Sequence, residues 1–178
     1  LPFDPETARD LLSEAGYGEG FSVRLDCPNN RYVNDEAVCQ AVVAMLARIG
    51  IEVRLDAQPK TLHFPKLENG NSDFYMLGWA PGTIDSLDVF SYLIASDGLW
   101  NVGRYSNTDV DALIAQITSE FDPERRNELI RQAWELVRAD EPYLPLHHQM
   151  VVWSMRDRVS LPITPNNIFQ LRWVTLAD

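Results

Sequence analysis

Residues 21–55 read FSVRLDCPNNRYVNDEAVCQAVVAMLARIGIEVRL, a strand–helix–strand pattern. Both ends of this stretch alternate apolar and polar residues, as half-buried strands do. Between them, apolar residues recur at helical spacing from Ala37 to Ile49. Asn34 is the predicted N-cap of this helix, and Gly50 is predicted to end it. Two strands joined by a helix predict a right-handed crossover and a parallel pair.

The flanking segments extend the same pattern in both directions. Asp4 and Pro5 predict the start of an earlier helix that ends at Gly16. A weaker helix is predicted over residues 60–69, and residues 74–79 read as a continuous apolar strand, buried on both faces. The expected fold class is therefore α/β, with a mainly parallel sheet flanked by helices.

The remaining residues predict mostly helix, followed by extended chain. A helix is expected through Leu87, Phe90 and Leu93, and a long loop over residues 96–107. Two further helices are expected, with apolar faces over residues 110–117 and 129–137. Residues 143–153 read as a strand. No internal linker is evident, so residues 1–178 are expected to form a single domain.

Composition excludes several classes of function. The formal net charge is −11 and the sequence pI is about 4.6, which disfavours binding to nucleic acid or to anionic membrane surfaces. No apolar run approaches the roughly 20 residues of a membrane span. The chain starts without an initiator Met or signal peptide, and we interpret it as an internal fragment or a processed product.

Two cysteines, Cys27 and Cys39, are present. They are too few for a structural zinc site, and their spacing is not that of a redox Cys-x-x-Cys motif. A disulfide and a pair of buried thiols remain equally open.

The sequence offers no support for catalysis. His147 and His148 are adjacent on a predicted strand and point to opposite faces, and His63 stands alone, so neither arrangement suits a metal. No phosphate-binding glycine loop and no nucleophile elbow is present. No catalytic residue, metal or cofactor is expected, and the protein is not expected to be an enzyme.

Two loops follow predicted parallel strands and carry side chains suited to ligand binding. Ligands of open α/β sheets bind beyond the carboxyl ends of the strands, where aromatic rings provide contact area and amides or arginine provide oriented hydrogen bonds. The candidate ligand-binding residues are Asn29, Asn30, Arg31 and Tyr32 in the first loop, and Trp79, Gly82, Thr83 and Asp85 in the second. Each residue alone fits an ordinary core or surface role; their shared sheet edge favours a ligand cleft.

Several motifs resemble, in order and spacing, the C-terminal lobe of peptide/nickel-type (family 5) extracellular solute-binding proteins. The matching segments are Asp4 to Tyr17, Ile49 to Val53, Asp73 to Trp79 (DFYMLGW), Tyr105 to Ile114 and Asp122 to Leu146. Together they cover essentially the whole chain.

The resemblance implies a type II periplasmic-binding-protein-like lobe of a larger two-lobed protein, with residues from about 154 to 178 crossing back toward the missing lobe. It implies a periplasmic substrate-binding component of an ABC importer, with permease subunits as partners, that captures peptides or related small amino-acid conjugates between its lobes. A single lobe is expected to bind its ligand weakly or not at all. A non-transport module for peptide sensing or chaperone-like binding is the alternative.

One departure from the family pattern concerns the ligand. Peptide binders of the family carry an Asp three residues after Gly-Trp, where it pairs with the α-amino group; here that position is Gly82. Asp85 or Asp88 is a possible substitute, and opines or other conjugates stay open as ligands. Arg31 is a candidate partner for a ligand carboxylate, because guanidinium binds carboxylate with two charge-assisted hydrogen bonds.

Overall fold

A computed structural model describes residues 3–164 and 167–177 of the chain. It confirms the α/β fold class. The chain forms two compact units, Leu1–Gly78 with Ser96–Ser106 and Trp79–Ala95 with Asn107–Asp178. The predicted start at Leu1–Pro2, and residues 165, 166 and 178 of the predicted crossing segment, lie outside the described residues.

The first unit contains the predicted strand–helix–strand pattern. Its elements are α1 (Pro5–Glu14), β1 (Phe21–Pro28), α2 (Asp35–Ala47), β2 (Ile51–Gln58) and α3 (Lys60–Glu68). The Asp4 carboxylate accepts from the backbone N–H groups of Glu6 and Thr7, which confirms its predicted capping role. Asn34 occupies the N-cap position of α2, but its side chain makes no capping hydrogen bond, so that part of the prediction is wrong.

The sheet of the first unit is parallel and small. β1 and β2 pair in parallel from Phe21 opposite Ile51 to Pro28 opposite Gln58. The predicted third strand, residues 74–79, is reduced to a single parallel bridge between Tyr75 and Asp26. The prediction that this segment is buried on both faces is wrong, because residues 74–77 are only half-buried and the chain leaves the sheet after the bridge.

The core of the first unit lies between β1, β2 and α2. Its buried apolar members are Leu25, Cys27, Cys39, Ile51 and Val53. Cys27 and Cys39 form a disulfide that joins the end of β1 to α2. This settles the alternative that the sequence left open.

The second unit is mainly helical, with one short antiparallel strand pair. Its elements are α4 (Ser86–Val89), one turn of π-helix (Phe90–Ile94), α5 (Thr108–Ser119), α6 (Pro123–Asp140), β3 (Val159–Ser160), a short 3-10 helix (Leu171–Trp173) and β4 (Thr175–Leu176). Phe90, Val110, Ile117 and Ala133 form part of its buried interior. The predicted strand over residues 143–153 is absent, because this extended segment has no hydrogen-bonded neighbour strand among the described residues.

Candidate ligand-binding loops

The first candidate loop, residues 29–34, leaves the carboxyl end of β1 in a defined conformation. The backbone N–H of Asn29 donates to the carbonyl of Gln58 at 3.0 Å and extends the parallel ladder by one bond. The Asn30 side-chain oxygen accepts from the backbone N–H of Lys60 at 2.8 Å. That bond satisfies a free donor at the start of α3, whose own N-cap residue is Pro59. Asn30 therefore joins the loop to α3.

Asp35 holds the middle of the same loop from the first turn of α2. Its buried carboxylate accepts from the backbone N–H groups of Arg31 at 2.8 Å and Tyr32 at 3.0 Å. Burial opposes ionisation of Asp35, but the backbone donors of Arg31, Tyr32 and Glu36 outweigh it and keep its pKa below the ordinary value. Asp35 was not a predicted site residue; three amides converging on one carboxylate were not visible in the sequence.

Tyr32 joins the loop to Gly78, three residues after the bridge between Tyr75 and Asp26. Its hydroxyl donates to the carbonyl of Gly78 at 3.1 Å and accepts from the N–H of Gly78 at 2.8 Å. Burial raises the pKa of this phenol, while the bond from Gly78 and the charge of Arg31 act in the opposite direction. The hydroxyl of Tyr32 therefore has both its donor and an acceptor position filled by Gly78.

Arg31 is the cation that this loop exposes. Its guanidinium carbon lies 4.9 Å from the centroid of the Tyr32 ring. Among the described residues, no carboxylate lies within ion-pair distance of it. Asn29, two residues earlier in the chain, is also exposed, and so is Asn34 at the end of the loop.

The second candidate group lies in the other unit, at the start of the segment Trp79–Ala95. The Trp79 indole N–H donates to Asp88 Oδ1 at 2.8 Å, and its ring packs against Tyr92 with centroids 5.5 Å apart. The other carboxylate oxygen of Asp88 accepts from the backbone N–H of Gly82 at 3.0 Å. Asp88 therefore brings a carboxylate to Gly82, where the family pattern has an aspartate.

Asp85 has a structural role. Its carboxylate accepts two hydrogen bonds from Arg126, at 2.8 and 3.0 Å, and caps α4 by accepting from the backbone N–H of Leu87. The Arg126 bonds are the largest cause that lowers the pKa of Asp85. Thr83 lies exposed two residues earlier. Both acids considered as substitutes at Gly82 therefore have partners within the protein: Asp85 binds Arg126, and Asp88 binds Trp79 and the backbone of Gly82.

The eight predicted residues thus fall into two groups of four, one in each unit. Sequence reasoning missed Asp35 and Arg126 and left Asp88 out of the site. The helix-start pattern Asn34-Asp35 was the available signal for Asp35. Arg126 belongs to the family-like segment Asp122 to Leu146, but nothing in the sequence indicated its partner, which is 41 residues away.

The histidines have ordinary surroundings. His63 is buried, and its Nε2 donates to the carbonyl of Met76 at 3.0 Å; burial lowers its pKa. His147 and His148 are exposed. Within residues 3–164 and 167–177, no group of three or more His, Cys, Asp or Glu side chains is arranged to hold a metal ion. The helices in those residues also lack the length and apolar character that crossing a bilayer requires.

Solved structures with a similar fold define the fold class of this chain. The chain resembles the dipeptide-binding protein from Pseudoalteromonas sp. SM9913 in complex with Met-Leu, with a TM-score of 0.81 and 22% identity over 98% of this chain and 36% of that one. It also resembles the periplasmic binding protein AgaA from A. tumefaciens R10 in complex with agropinic acid, with a TM-score of 0.67 and 24% identity over 77% and 28% of the two chains. The fold is that of type II periplasmic binding proteins.

The family follows from the sequence match. Residues 2–101 match the family described as bacterial extracellular solute-binding proteins, family 5 Middle, and the chain belongs to this family. The glutathione-binding protein GsiB of Salmonella paratyphi A is 32% identical over 155 residues, which cover 82% of this chain. The chain spans about 30% of the length of that relative.

Proposed function

We propose that this chain is the C-terminal lobe of a two-lobed periplasmic protein that binds peptides or related small amino-acid conjugates and delivers them to the permease subunits of an ABC importer. Membership of the family supports this role, and so do similar proteins whose ligands are glutathione and Met-Leu. Both ligands are small, amide-bearing molecules with at least one free carboxylate. The proposal treats all 178 residues as part of one lobe, with no enzymatic activity.

The exposed guanidinium of Arg31 is the observation that supports a ligand with a carboxylate group. The loop that presents it is held by the Asn30 and Asp35 hydrogen bonds, so the charge is offered from an ordered backbone. An arginine without a carboxylate partner of its own suits bidentate binding of a ligand carboxylate. We propose that Arg31 binds the carboxylate of the ligand and that Asn29 lies beside it.

Binding of free-acid and amidated ligands to the full-length protein tests this proposal. Met-Leu is titrated by calorimetry and thermal shift, as the free acid and as the C-terminal amide, which lacks its one carboxylate; binding to the native state raises the melting temperature. Glutathione, which has two carboxylates, is titrated as the free acid only. We expect Arg31→Ala to weaken binding of the free acid by about 10- to 100-fold, the usual contribution of a hydrogen bond to a charged group. Binding of the amide should change far less.

Arg48→Ala is the matched control. Arg48 is an exposed arginine just after the end of α2, so its loss removes the same charge from the same unit without touching the loop. Its affinity for both ligand forms should equal that of the parent. Equal affinity of Arg31→Ala and the parent for the free acids would exclude Arg31 as the carboxylate partner, and no binding of any peptide would contradict the proposed function.

A further inference from the structure

Tyr32 was predicted as a ligand contact, but its contacts point to a different role. We propose that Tyr32 is a positioning residue that holds the loop of residues 29–34 and the Arg31 guanidinium in their binding arrangement before a ligand arrives. The proposal rests on the proposed function for its ligand. Its structural part, the ordering of Arg31 by Tyr32, is testable without any ligand.

The hydroxyl of Tyr32 is the first part of the argument. It makes two hydrogen bonds to one residue, donating to the carbonyl of Gly78 and accepting from its N–H. The two residues are 46 positions apart in the chain, so these bonds tie the loop after β1 to the end of the neighbouring segment. Because the hydroxyl is both donor and acceptor to the same residue, the position of the phenol and the orientation of its O–H bond are fixed.

Gly78 is the second part. A Cβ atom at this position would lie 2.7 Å from Cε1 and 2.9 Å from Cζ of the Tyr32 ring. The backbone of Gly78 is not in the left-handed region, so its conformation alone does not demand glycine. The missing side chain makes room for the Tyr32 ring. The proposed role of Gly78 is therefore to admit that ring, not to contact ligand.

The third part is Arg31, which is held at both ends. Its backbone N–H donates to Asp35, and its guanidinium lies over the face of the Tyr32 ring, an arrangement that attracts a cation. A long, charged side chain normally loses rotamer freedom when it binds a ligand, and prior ordering reduces that loss. Tyr32 thus acts on the ligand through Arg31.

Two substitutions disturb this arrangement in different ways, one at Tyr32 and one at Gly78. Tyr32→Phe keeps the ring under Arg31 and removes both hydrogen bonds. Gly78→Ala leaves Tyr32 and Arg31 chemically unchanged and pushes the ring aside. Tyr17→Phe is the matched control, since Tyr17 is an exposed tyrosine of the same unit whose ring lies tilted against that of Phe21.

The full-length protein without ligand provides the first measurement. In the parent, the Gly78 amide should be protected from hydrogen exchange and the Arg31 Nε–H should be ordered in NMR relaxation. Tyr32→Phe should remove the protection at Gly78, and both variants should increase the mobility of Arg31. Parent and Tyr32→Phe proteins with the same fast exchange at Gly78 and the same Arg31 mobility would overturn the proposal.

Affinity provides the second measurement. Each variant should bind the free acid of Met-Leu about fivefold more weakly, equivalent to the net contribution of one hydrogen bond, and bind the amide as the parent does. Equal weakening for acid and amide would mean general damage to the lobe and would refute a positioning role. In a Tyr32→Ala background, Gly78→Ala should have no further effect, because the ring it displaces is gone.

The two proposals fail in different ways. If the parent binds no peptide, the proposed function fails, while hydrogen exchange and Arg31 relaxation still decide the role of Tyr32. If the parent binds, and Arg31→Ala weakens binding but Tyr32→Phe and Gly78→Ala do not, only the positioning role is wrong.

Discussion

Lys66 forms ion pairs with both strands of the sheet in the first unit. Asp26 and Asp56 stand opposite each other on the parallel strands β1 and β2. The Lys66 ammonium, from α3, forms ion pairs with both carboxylates. Asp26 is 1% exposed and also accepts from the hydroxyl of Ser72. Lys66 therefore balances a charge that has almost no access to water.

Replacing Lys66 with Met should be strongly destabilising. The buried Asp26 carboxylate would lose its main cationic partner, and breaking a buried pair in this way costs about 3–5 kcal/mol of unfolding free energy. Urea denaturation at neutral pH measures the loss. The same substitution at Lys60, an exposed lysine of the same helix, should have little effect. A Lys66→Met variant as stable as Lys60→Met would contradict the structural role of the ion pairs.

At the scale of elements, the disulfide joins a strand to the helix that follows it. Cys27 lies at the end of β1 and Cys39 in α2, 12 residues later. The ring that the bond closes contains the whole loop of residues 29–34 and the Asp35 carboxylate that anchors it. The covalent link and the hydrogen bonds of Asp35 thus restrain the same short segment from two directions.

Removing the disulfide should lower stability without changing the fold. A Cys27→Ala/Cys39→Ala variant should lose about 3 kcal/mol, the loop-entropy contribution of a crosslink over roughly 15 residues. Urea unfolding with and without a thiol reductant provides the measurement. The reductant should destabilise the parent and leave the variant unchanged. A parent whose stability does not respond, although mass spectrometry shows complete reduction, would contradict a stabilising role.

At the scale of the whole molecule, structural carboxylates stabilise both units. Asp35 and Asp56 lie in the first unit and Asp85 in the second. Hydrogen bonds from Lys66 keep the pKa of Asp56 low, those from Arg126 keep the pKa of Asp85 low, and backbone donors outweigh burial to keep the pKa of Asp35 low. Each carboxylate is therefore easier to protonate in the unfolded chain than in the folded one.

Acid should therefore destabilise the protein in a defined direction. A depressed folded pKa contributes stability that is complete above the unfolded value of about 4 and is lost as the pH falls through the folded value. Unfolding free energies measured between pH 7 and pH 2 should decline below about pH 5.

Asp85→Asn identifies one source of the decline. This variant should be less stable than the parent at pH 7 and lose less on acidification, because it no longer has that carboxylate to protonate. Asp97→Asn, which removes one exposed charge, is its control. If the stability difference between Asp85→Asn and the parent is the same at pH 3 as at pH 7, Asp85 does not contribute in the expected way.

The sequence by itself determined the local elements. Asp4 and Asp122 accept hydrogen bonds from the first turns of α1 and α6, and Gly50 follows α2 with a left-handed backbone. The alternation of apolar residues at positions 21–25 and 51–55 predicted two strands, and the helix between them predicted their parallel pairing. These features depend on residues within about one turn or one strand of each other, so a single chain carries their signal.

Only the tertiary structure decided how those elements are joined. Tyr32 meets Gly78, Arg126 meets Asp85, and Lys66 meets both Asp26 and Asp56 across 10 to 46 residues. The sequence left the Cys27–Cys39 bond as one of two open alternatives, and residues 143–153 do not form the strand that it predicted. Which polar side chains meet across such separations depends on how the backbone packs. Whether a segment forms a strand depends on whether another strand lies beside it. The sequence therefore predicted that a loop containing Arg31 follows the first strand. The hydrogen bonds that Asn30, Tyr32 and Asp35 make there became known only from the folded structure.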